Sequence, residues 1–164
     1  RIDHFRGFAG YWEIPADEPT AVHGQWRPGP GAELFQAMES ALGPLPIVAE
    51  DLGVITPDVE ALRLHLSYPG MRVLQFAFGG DPSNAYLPHH HRHDAVVYPG
   101  THDNDTSCGW WGSAGAHERA FAKAYLGGIG SDDDIAWALI RSACASVADT
   151  AIYAMQDLLS LPSR

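Results

Sequence analysis

The chain has 164 residues, 46% of them hydrophobic and 18% charged, a balance that supports a packed domain and excludes bulk disorder. Ten Lys and Arg stand against twenty Asp and Glu, a formal net charge of -10 that repels a phosphate backbone or an anionic lipid surface and suits a neutral ligand. No apolar run approaches the roughly 18 to 20 residues needed to cross a bilayer, and Cys108 and Cys144 are too few and too unpatterned for a disulfide framework or a zinc site, which suits a reducing cytosol.

Along the chain, apolar runs alternate with amphipathic stretches, the order expected of strand and helix units laid into a parallel sheet. Ala32 to Leu42 sets Leu34, Phe35, Met38 and Leu42 at helical spacing and ends at Gly43, a residue suited to a left-handed helix terminus. Leu45 to Ala49 reads as a short buried strand. Thr56, as a cap, and Pro57, in the first turn, start a second helix that runs to about Leu66. Arg72 to Phe78 is the next strand, and Ala95 to Tyr98 another after a histidine-rich loop. The stretch from about His117 to Leu126 reads as helix before a glycine-rich break. Ser131 with Asp132, Asp133 and Asp134 opens a longer helix, acidic where the macrodipole is positive, that ends near Ala148. Thr150 to Met155 is a final strand. Four or five βα units fit, and residues 1–164 read as a single α/β domain. Because a dense polar motif begins at Arg1 with no strand or cap ahead of it, the chain reads as a fragment.

Three carboxylates fall where an apolar strand gives way to a loop: Asp3 in RIDHF, Glu50 in PIVAEDLG and Asp103 in VVYPGTHDND. They lie about 50 residues apart, one or two βα units per step, so the carboxyl ends of parallel strands can bring them together. Glycosidic cleavage needs such a set, one carboxylate to attack or stabilise an oxocarbenium-like centre and one carboxylic acid to protonate the leaving oxygen; a retaining pair stands about 5 to 5.5 Å apart. Any one strand-end acid is more often a helix cap or half of an ion pair; three together favour a site. Arg1 and Asp3, two apart on a strand, share a face, so the guanidinium can keep the carboxylate ionised as a nucleophile must be. Ile47, Val48 and Ala49 give Glu50 an apolar setting of the kind that keeps an acid catalyst protonated.

The strings RIDHFRGFAGYWEIP, GQWRPGPG, PIVAEDLGVITPDVEALR, YPGMRVLQFAFG and GTHDNDTSCGWW resemble the 4-alpha-glucanotransferase family, also called amylomaltase or disproportionating enzyme, over nearly the whole chain. The resemblance implies a (β/α)8 barrel of the alpha-amylase clan, here about strands 4 to 8 with their helices, and a retaining double displacement that passes α-1,4-glucan to a glucose or glucan acceptor without a cofactor. It implies Asp3 as nucleophile, Glu50 as general acid/base and Asp103 as the carboxylate gripping sugar hydroxyls at the donor subsite, with Arg1 and His102 beside them. QDLLSLPSR departs from the family pattern, which continues into a glycine and a serine-glutamate-alanine-arginine stretch. With the first barrel strands absent, the fragment alone is expected neither to fold stably nor to turn over. A cytoplasmic enzyme is implied, or a plastid one if the source is a plant or alga.

Tyr11, Trp12, Trp26, Trp110 and Trp111 read as loop aromatics beside these clusters, where rings can stack on glucose faces; Trp12 and Trp26 are favoured, and Trp137 reads as core. The loop from about Gly24 to Gly31 suits a fixed binding loop and lacks the lysine of a phosphate cradle. His89, His90, His91 and His93 read as a solvated loop, since neighbours in a run cannot all face one ion. His102, Asp103 and Asp105 with Asp3 and His4 are the stronger metal candidate and would make the protein a metal-dependent hydrolase, although the expected number of metals is none. The same carboxylates would equally serve hydrolysis of α-glucans, and a partial barrel could persist as a noncatalytic glucan-binding remnant. Cys108 reads as a packing thiol.

Overall fold

A computed structural model describes residues 1–163, and its packing divides after Met71. In the first unit the sheet begins where Ile2 pairs with Ala49 in parallel. The Ile2 N–H donates to the Val48 carbonyl at 2.9 Å and the Glu50 N–H returns to the Ile2 carbonyl at 2.9 Å, while the Ala49 N–H donates to Pro69 at 2.9 Å on the other side. The expected strand from Leu45 to Ala49 is thus an extended segment bridged only at its end. Pro44 and Pro46 bring no N–H to a ladder, which accounts for the truncation.

A 3-10 turn over Phe5–Phe8 follows Ile2 and puts Phe5 into a ring cluster with Phe8, Phe35 and Tyr68. Helix α1 (Gly31–Leu42) contributes Phe35 and closes on Gly43, whose φ of 80 is positive as expected while its ψ of -178 lies outside the left-handed helical region. Helix α2 (Pro57–His65) carries Pro57 in its first turn, but the Thr56 hydroxyl makes no capping bond among the described residues. It turns to Asp58 instead, and that bond, the largest influence on Asp58, holds its carboxyl below the usual range. A hairpin of β1 (Gly10–Glu13) and β2 (Gln25–Pro28), antiparallel with Trp12 opposite Trp26, has no counterpart in the sequence reading. No residue of either strand is fully buried, so no apolar alternation marks them.

The second unit holds β4 (Ala95–Tyr98) and β5 (Thr150–Ala151), which pair in parallel, and takes in the end of β3 (Gly70–Val73), which begins in the first; the strand order of this three-stranded sheet is β3, β4, β5. Every residue of β4 is buried, as expected of a strand covered on both faces, and its bounds match the sequence reading. The strand read over Arg72 to Phe78 ends at Val73 and passes into a 3-10 turn over Leu74–Phe76. Helix α3 (Ser107–Ser113), unforeseen because Gly109 and Gly112 weaken it, is capped by the Thr106 hydroxyl, which accepts the Gly109 N–H at 3.0 Å. Helix α4 (Ala116–Leu126) falls where it is predicted.

The long helix from Ser131 is instead a 3-10 turn with a Ser131–Asp134 capping box, then α5 (Ile135–Cys144). The last strand stops at Ala151, and α6 (Met155–Leu158) follows. Helix α5 buries Ile135, Leu139 and Ala143 against Leu74, Phe78, Leu87, Val97 and Trp111. Trp137, expected in this core, is 44% exposed because it lies off the stripe that those residues define.

The histidine run also departs from expectation. Pro88–His90 forms a 3-10 turn, the His89 Nδ1 meets the Tyr125 hydroxyl at 2.7 Å, and His91 is buried with Nε2 2.9 Å from the Tyr86 carbonyl. Its Nδ1 has no hydrogen-bond partner among the described residues. Burial pushes His91 below the ordinary imidazole range; the Tyr86 carbonyl opposes this, and Arg72, His89 and His90 add to it. The unfolded chain then binds a proton near pH 6.5 that the fold refuses, so stability is full above about pH 6.5 and falls as pH drops below it. Urea unfolding at pH 8 and pH 5.5 should show this loss, and His91→Gln should shrink it; an unchanged loss in the variant would assign the pH dependence elsewhere.

Candidate active site

Because Ile2 and Ala49 pair in parallel, the chain leaves both strands in the same direction, with Asp3 and Glu50 each one residue past the bridge. Arg1 grips Asp3 with two bonds, Nε to Oδ1 at 2.6 Å and Nη2 to Oδ2 at 3.3 Å, as their shared strand face predicts. The Asp3 side chain stays 60% exposed, so this fork orients the carboxylate rather than adding much stability.

Glu50 is only half-buried, and its carboxyl group lies among donors rather than in the apolar setting expected of it. His4 takes the left-handed conformation at φ 51, sparsely populated for a residue with a side chain. In that turn its N–H donates to Glu50 Oε2 at 2.6 Å, and the Phe5 N–H donates to the Glu50 carbonyl at 3.0 Å. The Leu52 N–H donates to Oε1 at 3.0 Å. Ile47, Val48 and Ala49 hold the strand, while backbone amides of residues 4 and 52 hold the acid.

The loop after β4 is pinned from beneath. Asn104 Oδ1 accepts from the Thr101 N–H and hydroxyl, both at 2.9 Å, the Thr101 Oγ1 accepts the Asp103 N–H at 3.2 Å, and Gln75 donates to the Asp105 carbonyl at 3.0 Å. Gly100 leaves room for the Gln75 amide, which a Cβ there would meet at 2.5 Å. The effect is to leave His102 and Asp103 projecting into solvent, 3.3 Å apart through Nε2 and Oδ1. The structure therefore gathers Arg1, Asp3 and Glu50 in the first unit, and His102 with Asp103 in the second. Among the described residues no three His, Cys, Asp or Glu side chains converge on a position for a metal ion.

The predicted ring platforms separate. Trp12 and Trp26 sit on the hairpin rather than on loops, ring centroids 5.5 Å apart, the Trp12 indole donating to the Ala21 carbonyl at 2.9 Å. Trp26 is 58% exposed, with the Arg6 guanidinium 4.7 Å from the ring centre. Together with Gly10, Val54, Thr56 and Asp58 these two line a surface groove of about 510 Å³. Neither Arg6 nor Asp58 is among the sequence candidates, and no local pattern marks them, since the groove joins segments about 50 residues apart. Trp110 and Trp111 belong to α3: Trp111 is buried and donates to Asp132 at 2.7 Å, and Trp110 donates to Glu118 at 3.3 Å, so neither is a loop platform. Cys108 is partly buried, and burial pushes its thiol up, away from an activated thiolate.

An α/β chain that presents acidic residues where parallel strands end has the make-up of an α/β enzyme, since such folds gather their chemistry at the carboxyl ends of strands. Comparison with known proteins gives the family. The chain belongs to the 4-alpha-glucanotransferase family, whose model matches residues 1–164. It is 53% identical over 163 residues to the chloroplastic/amyloplastic 4-alpha-glucanotransferase of Arabidopsis thaliana, a match covering 99% of this chain and 28% of that one. The Thermus thermophilus 4-alpha-glucanotransferase is 52% identical over 169 residues, covering 99% and 34%. Among solved structures, the amylomaltase from Streptococcus agalactiae in complex with acarbose superposes with a TM-score of 0.91 at 39% identity, over 99% of this chain and 33% of that one. The amylomaltase from Corynebacterium glutamicum, at 16% identity and a TM-score of 0.67, shares the fold. The chain spans about a third of the length of these relatives.

Proposed function

We propose that this chain carries the carboxylates of a 4-alpha-glucanotransferase that moves α-1,4-glucan segments to a glucose or glucan acceptor by a retaining double displacement. The observation that carries this reading is the adjacency of Asp3 and Glu50 on paired parallel strands, one held by a guanidinium and the other by two amides. Asp3 attacks the anomeric carbon while Glu50 protonates the departing oxygen; Glu50 then takes the proton of the acceptor hydroxyl as it displaces Asp3. Asp103 and His102 bind hydroxyls of the distorted donor sugar. Two carboxyl groups complete this chemistry, so no cofactor enters. Residues 1–164 are read as one partial domain, about strands 4 to 8 of a (β/α)8 barrel; five strand positions in chain order, at Ile2, Ala49, β3, β4 and β5, support that reading. The compartment that fits is cytoplasm or plastid, in keeping with the chloroplastic relative. Among the described residues no helix is long and apolar enough to cross a membrane.

The test is a full-length hybrid in which the part of the Thermus thermophilus relative that this chain does not span is supplied, incubated with maltotriose. Glucose together with maltotetraose and longer products is the expected outcome. Glucose and maltose without elongation would make the protein a hydrolase. In the same assay Trp26→Ala should raise KM about tenfold with little change in kcat, as loss of a stacking surface does; an unchanged KM would remove Trp26 from the binding site.

A further inference from the structure

Asp51 follows Glu50 directly, yet it points elsewhere and has no part in the reaction above. It is 7% exposed, and its Oδ1 accepts the Met71 N–H at 2.6 Å. Its Oδ2 lies 3.5 Å from Nε of Arg63, itself 2% exposed, and Arg63 donates through Nη1 to the Tyr68 carbonyl at 2.8 Å. The neighbouring strand is shaped around this carboxylate: a Cβ on Gly70 would collide with it.

A buried ion pair gains little stability over well-packed apolar residues of the same volume, because both charges must leave water. What this pair does uniquely is geometric. The Ala49 N–H on Pro69 and the Asp51 carboxylate on Met71 tie the chain to the adjacent strand on both sides of residue 50. With residues 49 and 51 tied, the backbone at residue 50 is held where the Glu50 carboxyl group meets the amides of His4 and Leu52.

We propose that the Asp51–Arg63 pair is a positioning device for Glu50, setting the reach of its carboxyl group toward the glycosidic oxygen without touching substrate. This rests on the reading of Glu50 as the acid/base group. General acid help matters when the leaving group is a sugar alkoxide and hardly at all when it is fluoride, and a displaced acid should therefore show itself as dependence on the leaving group.

The experiment compares maltotriose with α-maltosyl fluoride in the full-length hybrid, using the unsubstituted protein, Glu50→Gln and Asp51→Asn. Asp51→Asn is expected to lower kcat/KM for maltotriose on the order of 100-fold, the scale of a small misplacement of a catalytic group, while the first-turnover burst of fluoride stays within about threefold. Should the lone Arg63 charge prevent folding, Asp51→Asn with Arg63→Gln removes both charges and is read by the same ratio. Equal losses with both donors, or none with either, overturn the proposal. The Glu50→Gln control separates the acid/base role from its positioning: if it lacks the donor split, the acid/base reading fails first and this proposal with it.

Discussion

Asp3→Asn in the full-length hybrid is expected to lower elongation of maltotriose by at least about 10⁴-fold, the scale on which removing a covalent nucleophile acts. The substitution keeps the shape of the side chain and an oxygen that can accept from Arg1 Nε, so the contact survives as a hydrogen bond from the charged guanidinium to a neutral amide oxygen. It removes the negative charge that, in the proposed mechanism, makes this oxygen the nucleophile at the anomeric carbon. Because the Arg1–Asp3 pair is exposed, its loss should change stability by only about 0 to 1 kcal/mol. An inactive variant with an unshifted unfolding midpoint would thus locate the defect in the chemistry. Intact-mass measurement after brief exposure to α-maltosyl fluoride should show a glycosylated chain in the unsubstituted protein and none in the variant. Elongation that survived the substitution would place the nucleophile elsewhere, and Asp103 would be the next residue to replace.

Strands and helices are legible in the sequence where a segment carries its own local signals. Strand β4 is four apolar residues between Asp94 and Pro99, and every one of them is buried. Helices α1, α2 and α4 carry their own stops and starts in Gly43, Pro57 and Gly127. The hairpin is illegible because eleven residues, 14–24, separate its strands and neither strand has a buried face to print a period on the sequence. Helix α3 hid behind two glycines, and its signal was the cap at Thr106. In the site, the carboxylates were visible as strand-end acids, and the Arg1–Asp3 fork followed from a spacing of two. The surroundings of Glu50 were not visible, since one of its two donors comes from 46 residues away through a left-handed turn at His4. Local sequence names the candidate carboxylates; contacts between distant segments decide how they are held.

Phe5, where distant segments meet, is a residue whose replacement should cost the fold heavily. Its side chain is fully buried, its ring centroid 5.8 Å from Phe35, 5.9 Å from Phe8 and 6.5 Å from Tyr68. Truncation to alanine deletes a ring from the middle of that cluster, with a cost of about 3–5 kcal/mol for transfer and cavity together. Phe5→Leu, which refills most of the volume, should cost about 1.5 kcal/mol or less. Denaturant unfolding of the full-length hybrid measures both, and a loss below about 1 kcal/mol for Phe5→Ala would mean that the first unit closes over the gap. The same residue also bears on the proposed acid/base group through its backbone, because its N–H donates to the Glu50 carbonyl beside the left-handed turn at His4. If the ring is what keeps that turn in place, folded Phe5→Ala protein will transfer maltotriose more slowly than folded Phe5→Leu. If the backbone bonds alone suffice, the two variants will differ in stability and agree in rate.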